Sequence, residues 1–241
     1  MHTLAGPSDF PTTRWTLVVA AADPQRKDAR SALVSLCEGY WYPLYAYVRR
    51  RGYPAEQAQD LTQEFFVRVL EGRYLDRADP EKGRFRSFIL TSLKFFVADE
   101  EDRHRARKRG GGVLVPLEFS SGEERYQHEP AHDETPERIF ERRWALSMLD
   151  RVVERLRDEF LQHGRPEHFE RLKVFLLGQS DTPYATLASE MHTSEGALKV
   201  AIHRLRKRYR DLFRQEIADT VVDPTEVEFE LRFLAAVLSK K

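Results

Sequence analysis

The residues with the most evident chemistry form a cationic run in the last quarter of the chain. Between Lys199 and Arg214 there are seven Lys or Arg side chains and a single Asp. On a helical wheel these cations lie opposite an apolar face that contains Leu198, Ile202 and Leu205. Guanidinium and ammonium groups gathered on one face of a helix bind phosphate oxygens. The pattern therefore predicts a helix that packs by one face and binds nucleic acid by the other.

A short helix and a tight turn are predicted just before this cationic helix. Thr182 followed by Pro183 is typical of a helix start, with an N-cap and then a proline at the first helical position. We expect the short helix to end near Met191, His192 to make the turn and Thr193 to cap the second helix. This is the pattern of a helix-turn-helix, whose second helix enters the major groove of DNA.

Composition restricts the class of protein. The 241 residues carry 39 basic and 39 acidic side chains, so nucleic-acid binding must come from local patches. Charged residues make up 32% of the chain, and the only short candidate strand is 113–115, which favours an all-α protein. Cys37 is the only cysteine, which excludes a disulfide framework and a cysteine-based zinc site. No signal peptide or membrane-length apolar run is evident, so we expect a cytoplasmic protein.

Helical spacing and breaks divide the chain into two small all-helical domains. The first is predicted over residues 10–112, with Pro43 expected to kink or restart one of its helices. An acidic linker, 113–135, leads to the second domain, 136–218, which contains the helix-turn-helix. Residues 219–241 form a C-terminal helical extension, which we expect to pack on the helix-turn-helix domain rather than to recruit a partner.

One predicted helix of the first domain, Ala55 to Glu71, carries an acidic and polar face. Its apolar arc includes Phe65 and Phe66. On the wheel, polar side chains project away from that arc and should be exposed and available for a partner protein. They are Asp60, Gln63 and Glu64.

Three motifs together resemble one protein family. The segment Asp60–Phe66 is similar to the family pattern Asp-Leu-x-Gln-Glu-x-Phe. It is followed by Phe-Arg-Ser-Phe-Ile-Leu at 85–90 and, much later, by Ser-Glu-Gly-Ala-Leu-Lys at 194–199. Over about Thr12 to Glu216 the chain resembles a bacterial RNA polymerase sigma factor of the extracytoplasmic-function (ECF) type. Such factors keep one domain for the −10 promoter element and one for the −35 element.

The resemblance implies partners and binding residues but no enzymatic activity and no cofactor or metal. Core RNA polymerase would be bound through its β′ clamp helices, by Asp60, Gln63 and Glu64, and through its β flap. The −10 element, read as flipped single-stranded bases on apolar pockets and a cationic track, would be bound by Tyr74, Arg77, Lys82, Arg84, Arg86, Arg103, Arg105, Arg107, Lys108 and Arg109. The −35 element would be bound by Thr193, Ser194, Glu195, Gly196, Lys199, Val200, His203, Arg204, Arg206 and Lys207. An anti-sigma factor or another regulator is a further partner that the resemblance allows.

The chain departs from the usual family pattern at several positions. Phe95 or Phe96 stands where relatives often have a polar residue on the −10 helix. Val200 and Ala201 stand where Ser and Arg are frequent, and Val200 could contact a thymine methyl group. These departures leave the promoter sequence unpredicted. The acidic segment 118–137 suggests the further hypothesis that it screens a basic patch until polymerase binds.

Two other classes of protein account for parts of the sequence. A stand-alone helix-turn-helix regulator would explain 183–214 but would give no role to Asp60–Phe66. An enzyme would need a set of catalytic side chains at suitable spacing. His128 and His132 have helical spacing but lie in a proline-containing acidic segment, and the glycines at 110–112 lack the Lys-Ser/Thr of a phosphate loop. Cys37 has no evident base partner.

Overall fold

The computed structural model describes residues 18, 27, 29–71, 74, 78–79, 83–106, 122–127, 134–176, 183–221 and 223–239. Within these ranges all regular secondary structure is helical. The α-helices are α1 Ala29–Arg50, α2 Ala55–Leu70, α3 Phe85–Ala106, α4 Gly122–Gln127, α5 Pro136–Gln162, α6 Pro166–Leu172, α7 Tyr184–Glu190, α8 Glu195–Ala218 and α9 Val227–Ser239. Short 3₁₀ turns, Lys173–Phe175 and Pro224–Glu226, follow α6 and precede α9. The all-α prediction is confirmed for the described residues.

The chain forms two compact units. The first unit contains Met1–Ala145 together with Ala218–Lys241, and the second contains Leu146–Ile217. Helix α5 supplies residues to both, since the division falls between Ala145 and Leu146. The C-terminal extension therefore belongs to the first unit, and the expectation that it packs on the helix-turn-helix domain is wrong.

The first unit is held together by buried aromatic and aliphatic side chains on α1, α2 and α3. Leu44 on α1, Phe65 on α2 and Leu93 on α3 have no exposed surface. Tyr45 and Tyr47 on α1 are also buried in this core. Burial of this apolar surface is the main favourable term for folding the unit.

Helix α1 continues through Pro43 without a restart. A proline inside a helix loses one backbone hydrogen bond and crowds the preceding turn. Here the residues on either side, Tyr42 and Leu44, are both buried in the core. Tertiary packing on both sides of the proline therefore outweighs the local cost, and a single helix runs from Ala29 to Arg50.

A short helix, α4, lies within the segment that the sequence predicts only as a linker. It packs against α1. A Cβ atom on Gly122 would lie 2.5 Å from Cη2 of Trp41, so only glycine lets the α4 backbone approach that ring so closely. This docking depends on a residue distant in sequence, which helical periodicity does not reveal.

The second unit has one contiguous apolar core. It joins Leu156 of α5, Phe169 of α6, Leu187 of α7 and Leu198 of α8. Helix α5 ends at Gln162, two residues before a glycine in the left-handed region, Gly164 with φ of +69°.

The turn between α7 and α8 has the predicted position. His192 adopts φ of +51°, a left-handed conformation, and the backbone N–H of Thr193 donates to the carbonyl of Ala188 at 2.9 Å. The cap differs from the prediction by one residue. Ser194, not Thr193, accepts a hydrogen bond from the backbone N–H of Ala197, at 3.2 Å.

Some sequence predictions fall on residues outside the described ranges. They are the strand at 113–115, the glycines at 110–112, and the pair His128 and His132. The predicted start of α7 is wrong by one residue, because Pro183 is the N-cap and the helix begins at Tyr184. Among the described residues, no helix has the length and apolar composition needed to cross a membrane.

Candidate nucleic-acid interface

Helix α8 has the two faces that its sequence predicts. Leu198, Ile202 and Leu205 are at most 3% exposed and pack in the core of the second unit. The opposite face is exposed and carries Lys199, Val200, His203, Arg204 and Lys207. The first turn of the helix, from Glu195 to Ala197, is also exposed. A helix with an open N-terminal turn and an exposed cationic face can approach a phosphate backbone.

The basic residues of α8 divide into those with intramolecular partners and those without. Arg206 donates from Nε to the carbonyl of Phe175 at 2.8 Å and is only partly exposed. Arg208 makes a two-pronged pair with Glu159, at 2.9 and 2.5 Å, and hydrogen bonding to that carboxylate raises the arginine pKa. Arg206, predicted to bind DNA, is therefore engaged in holding α8 to the preceding 3₁₀ turn.

The remaining cations form the accessible part of this face. The ammonium nitrogen Nζ of Lys199 lies 3.5 Å from Oε2 of Glu195 and 5.6 Å from the ring centre of Tyr184. In the described part of the chain, His203, Arg204 and Lys207 have no ion-pair or hydrogen-bond partner. These side chains can therefore bind an external anion without first breaking an internal contact.

The acidic face of α2 is narrower than the wheel predicts. Asp60 and Glu64 are exposed, as expected, and Glu64 pairs with Arg68 one turn later. Gln63 is only 9% exposed, so the prediction that it is free for a partner is wrong. Helices α1 and α3 both pack on α2. The buried face of α2 is therefore wider than its apolar residues indicate, and it includes the polar residue Gln63.

The two arginines at the start of α3 lie against the C-terminal helix. Arg86 is 4% exposed, and its guanidinium contacts the carboxylate of Glu230 on α9. Arg84 reaches the same carboxylate, with Nε 3.1 Å from Oε2. The guanidinium of Arg86 also lies 4.8 Å from the ring centre of Trp144 and 4.7 Å from that of Phe233. Arg86, predicted to bind the −10 element, is therefore buried and paired within the first unit in this structure.

Other predicted −10 residues are only partly described. Tyr74 packs its ring against Phe65, with ring centres 5.5 Å apart. Arg103 is exposed and pairs with Asp99 and Glu100, both at 2.7 Å. Outside the described positions or side chains lie Arg77, Lys82, Arg105, Arg107, Lys108 and Arg109.

The acidic linker contacts basic residues of the first unit. Glu123 on α4 accepts two hydrogen bonds from Arg49, at 2.9 and 3.0 Å, and one from Tyr45. Burial alone would raise the pKa of Glu123, but the hydrogen bonds from Tyr45 and Arg49 outweigh it and lower that pKa. Glu137 pairs with Lys94 at 2.7 Å. In this structure the basic partners of the acidic segment 118–137 include Arg49 on α1 and Lys94 on α3. That the segment screens a basic patch until polymerase binds stays a prediction.

Glu230 and Glu123 are the residues that sequence reasoning missed. Glu230 does leave a signal, because it lies at helical spacing from Val227 and Leu234 and so interrupts the apolar face of α9. A carboxylate inside an apolar face indicates a buried cationic partner. Glu123 leaves no comparable signal in its own segment.

The described residues show no metal centre. Within those ranges no group of three His, Cys, Asp or Glu side chains is placed to hold an ion.

Comparison with known families gives one match. Residues 39–109 match the family model for Sigma-70 region 2, and the matched segment includes most of α1, all of α2 and all of α3. The match covers less than half of the chain and supports a sigma-70 family factor. No curated protein and no solved structure matches the chain significantly.

Proposed function

We propose that this protein is a sigma factor of the ECF type, which binds core RNA polymerase and directs it to promoters. The carrying observation is the region 2 match over 39–109, on helices whose acidic face is exposed at Asp60 and Glu64. A sigma factor acts by binding and positioning, and it needs no catalytic group of its own. Its place of action would be the cytoplasm, where the polymerase works.

The polymerase contact is proposed on α2. Asp60 and Glu64 lie one helical turn apart on the exposed side of the helix, and they present two carboxylates to a partner. We propose that this pair binds the β′ clamp helices. Gln63, which is buried, would instead support the shape of α2 beneath that surface.

The upstream DNA contact is proposed on α8. Its exposed N-terminal turn and the cations Lys199, Arg204 and Lys207 have the arrangement of a recognition helix that reads bases early and phosphates later. We propose that this helix binds the −35 element. Because Arg206 is held by Phe175, the number of phosphate contacts should be smaller than the charge count of the sequence suggests.

The downstream DNA contact is proposed on the first unit, at the loop before α3 and the first turn of α3. Arg84 is partly exposed there and belongs to the matched family segment. A base taken out of the stack needs a cationic track for its phosphates and a pocket for its ring. We propose that this region binds the −10 element as single-stranded DNA.

Charge reversal on α2 tests the proposed function. In Asp60→Lys/Glu64→Lys both carboxylates become cations at exposed positions, so the helix should stay folded while polymerase binding is lost. Glu56→Lys is the matched control, an exposed glutamate in the first turn of the same helix. Assembly would be measured by co-elution with bacterial core RNA polymerase, and folding by circular dichroism.

The same proteins separate a sigma factor from a stand-alone regulator. A sigma factor should produce promoter-specific transcripts only together with core polymerase, and the double variant should abolish them. Unchanged holoenzyme assembly by the folded double variant would contradict the proposed contact. Specific operator binding without any effect on core polymerase would favour the stand-alone regulator.

A further inference from the structure

A carboxylate of the C-terminal helix is completely buried against two arginines. Glu230 has no exposed surface, and Arg86 is 4% exposed. Arg84 lies 3.1 Å from the same carboxylate and keeps about a quarter of its side chain exposed, at 24%. The Arg86 guanidinium also lies 4.8 Å from the ring centre of Trp144 and 4.7 Å from that of Phe233. Helix α9 therefore occupies the surface where α3 presents both arginines.

The carboxylate of Glu230 is one of two that act on these arginines. Glu141 of α5 also interacts electrostatically with both Arg84 and Arg86. Burial, with repulsion from Arg84, lowers the pKa of Arg86 to about 10, so Arg86 is still a cation at neutral pH. A buried charge is unfavourable unless it is paired. An anionic ligand that replaced Glu230 would therefore have to supply the same negative charge.

The hydrogen bonding of the contact is shared between the two arginines. Arg86 Nη2 donates to Glu230 Oε2 at 3.4 Å, and both Arg86 Nη1 and Arg84 Nε lie within ion-pair distance of the same carboxylate. A ligand that supplies several anionic oxygens would satisfy the two guanidinium groups better than one carboxylate does.

We propose that α9 is an intramolecular competitor of promoter DNA, with Glu230 holding Arg84 and Arg86 in the place of DNA phosphates. This inference rests on the proposed function, because the arginines lie in the proposed −10 surface. Undocking of α9 frees both guanidinium groups for the backbone of the single strand.

The main experiment compares Glu230→Gln with Glu226→Gln. Glu230→Gln keeps the side-chain shape but leaves Arg86 without its counter-charge, so the docked state should lose population. Glu226 is an exposed glutamate just before α9 and serves as the matched control. The probe is a fluorescently labelled single-stranded DNA of random sequence, and binding to the free full-length protein is measured at several salt concentrations.

The expected result has two parts. Glu230→Gln should bind the strand about tenfold more tightly, within the usual range of coupling between two ligands of one protein. Each regained phosphate contact should steepen the slope of log K against log salt by about 0.7, hence by about 1.4 for two arginines. In the double variant Arg84→Gln/Glu230→Gln only Arg86 is left to bind a phosphate, so the slope should steepen by about 0.7. Glu226→Gln should bind like the unchanged protein.

A second measurement uses the unchanged protein and does not depend on the folding of a variant. Amide hydrogen exchange is followed in the holoenzyme with and without promoter DNA. The peptide that covers α9 should exchange faster when DNA is bound, because the helix has left its site. An unaltered salt slope in folded Glu230→Gln, or full protection of α9 in the DNA complex, would overturn the proposal.

Failure of this inference is distinguishable from failure of the proposed function. If the holoenzyme transcribes from promoters while α9 stays protected, the protein is a sigma factor and α9 is a permanent part of its first unit. If no transcript forms with core polymerase, the proposed function fails, and tighter strand binding by Glu230→Gln would then show only competition for single-stranded nucleic acid.

Discussion

The two units treat their predicted DNA-binding cations in opposite ways. In the first unit, Arg86 is 4% exposed and lies against Glu230. In the second unit, Arg204 and Lys207 are exposed on α8 and have no partner in the described residues. Arg86 on α3 and the pair Arg204 and Lys207 on α8 all lie in amphipathic helices of similar length, 22 and 24 residues. The local sequence therefore does not indicate which of them is exposed.

The difference comes from two helices of the first unit, α4 and α9, that lie outside the α1–α3 core. Helix α9 brings Glu230 to Arg84 and Arg86, and helix α4 brings Glu123 to Arg49. Both acidic residues come from parts of the chain that follow α3. The second unit also has pairs between distant residues, among them Arg208 with Glu159 and Arg155 with Glu216, but in the described residues none of these involves Arg204 or Lys207. Basic residues in a helix therefore indicate a nucleic-acid surface only when no carboxylate from elsewhere covers them.

The largest effect is expected at the buried pair. Arg86→Met removes the buried guanidinium and leaves Glu230 with only the partly exposed Arg84, so it should destabilise the first unit by about 3 kcal/mol, the lower end of the range for a broken buried pair. Arg204→Ala, at an exposed position of the second unit, should change stability by no more than about 0.5 kcal/mol. All three tryptophans lie in the first 145 residues, so tryptophan fluorescence during urea unfolding reports on the first unit. Circular dichroism follows the helices of both units, so a transition seen by circular dichroism but not by fluorescence reports on the second unit.

A double substitution sharpens this prediction. Arg86→Met/Glu230→Leu replaces the ion pair with apolar side chains and should recover most of the lost stability, since well-packed apolar groups substitute for buried ion pairs. Equal urea midpoints for Arg86→Met and the unchanged protein would show that the pair of Arg86 and Glu230 does not stabilise the first unit.

A smaller effect is expected where α4 meets α1. Gly122→Ala places a methyl group 2.5 Å from Cη2 and 2.6 Å from Cζ3 of Trp41. Such overpacking should cost about 1–3 kcal/mol, seen as a lower urea midpoint by tryptophan fluorescence. Gly196→Ala is the comparison in α8, where the nearest atom would be 4.0 Å away. It should be neutral or stabilising by up to about 1 kcal/mol. Similar losses in both variants would contradict the close approach at Gly122.

A still smaller effect is expected for single cations on the exposed face of α8. Lys207→Ala should weaken duplex DNA binding at all sequences and reduce the salt slope by about 0.9, the value for one phosphate contact. Arg208→Ala removes a cation that is paired with Glu159 and should leave the slope nearly unchanged. Binding is measured by fluorescence anisotropy over a range of salt. Equal slopes for both variants would mean that the exposed face does not bind phosphates.

The smallest effect is expected from titration of Glu123. Its pKa is lowered by the hydrogen bonds from Tyr45 and Arg49, which outweigh burial, so the folded unit binds this proton less readily than the unfolded chain does. The resulting stability is present above the ordinary pKa of 4.5 and is lost as pH falls through the lower folded value. Because the pair is partly exposed, the contribution should be at most about 1 kcal/mol.

The measurement for Glu123 is the urea midpoint as a function of pH. The unchanged protein should lose its extra stability on acidification, and Glu123→Gln should show a weaker pH dependence over the same range. An identical pH profile in both proteins would mean that Arg49 does not stabilise the ionised carboxylate.

Most of the local structure could be predicted from the sequence. The turn at His192 and the buried face of α8 both have the predicted positions. The errors share one cause. Gln63 and Arg86 were expected to be exposed, and each is covered by an element that a helical wheel does not include.

Sequence by itself determined the helices, the polarity of their faces and the family motifs, because caps, breaks and the 3.6-residue period depend on residues within a few turns. Only the tertiary structure decided which polar side chains are available. Arg86 and Glu230 are 144 residues apart in the chain, and their pairing depends on how α9 packs on the first unit. Burial and ion pairing between such distant residues follow from packing of the whole unit, which local periodicity cannot specify.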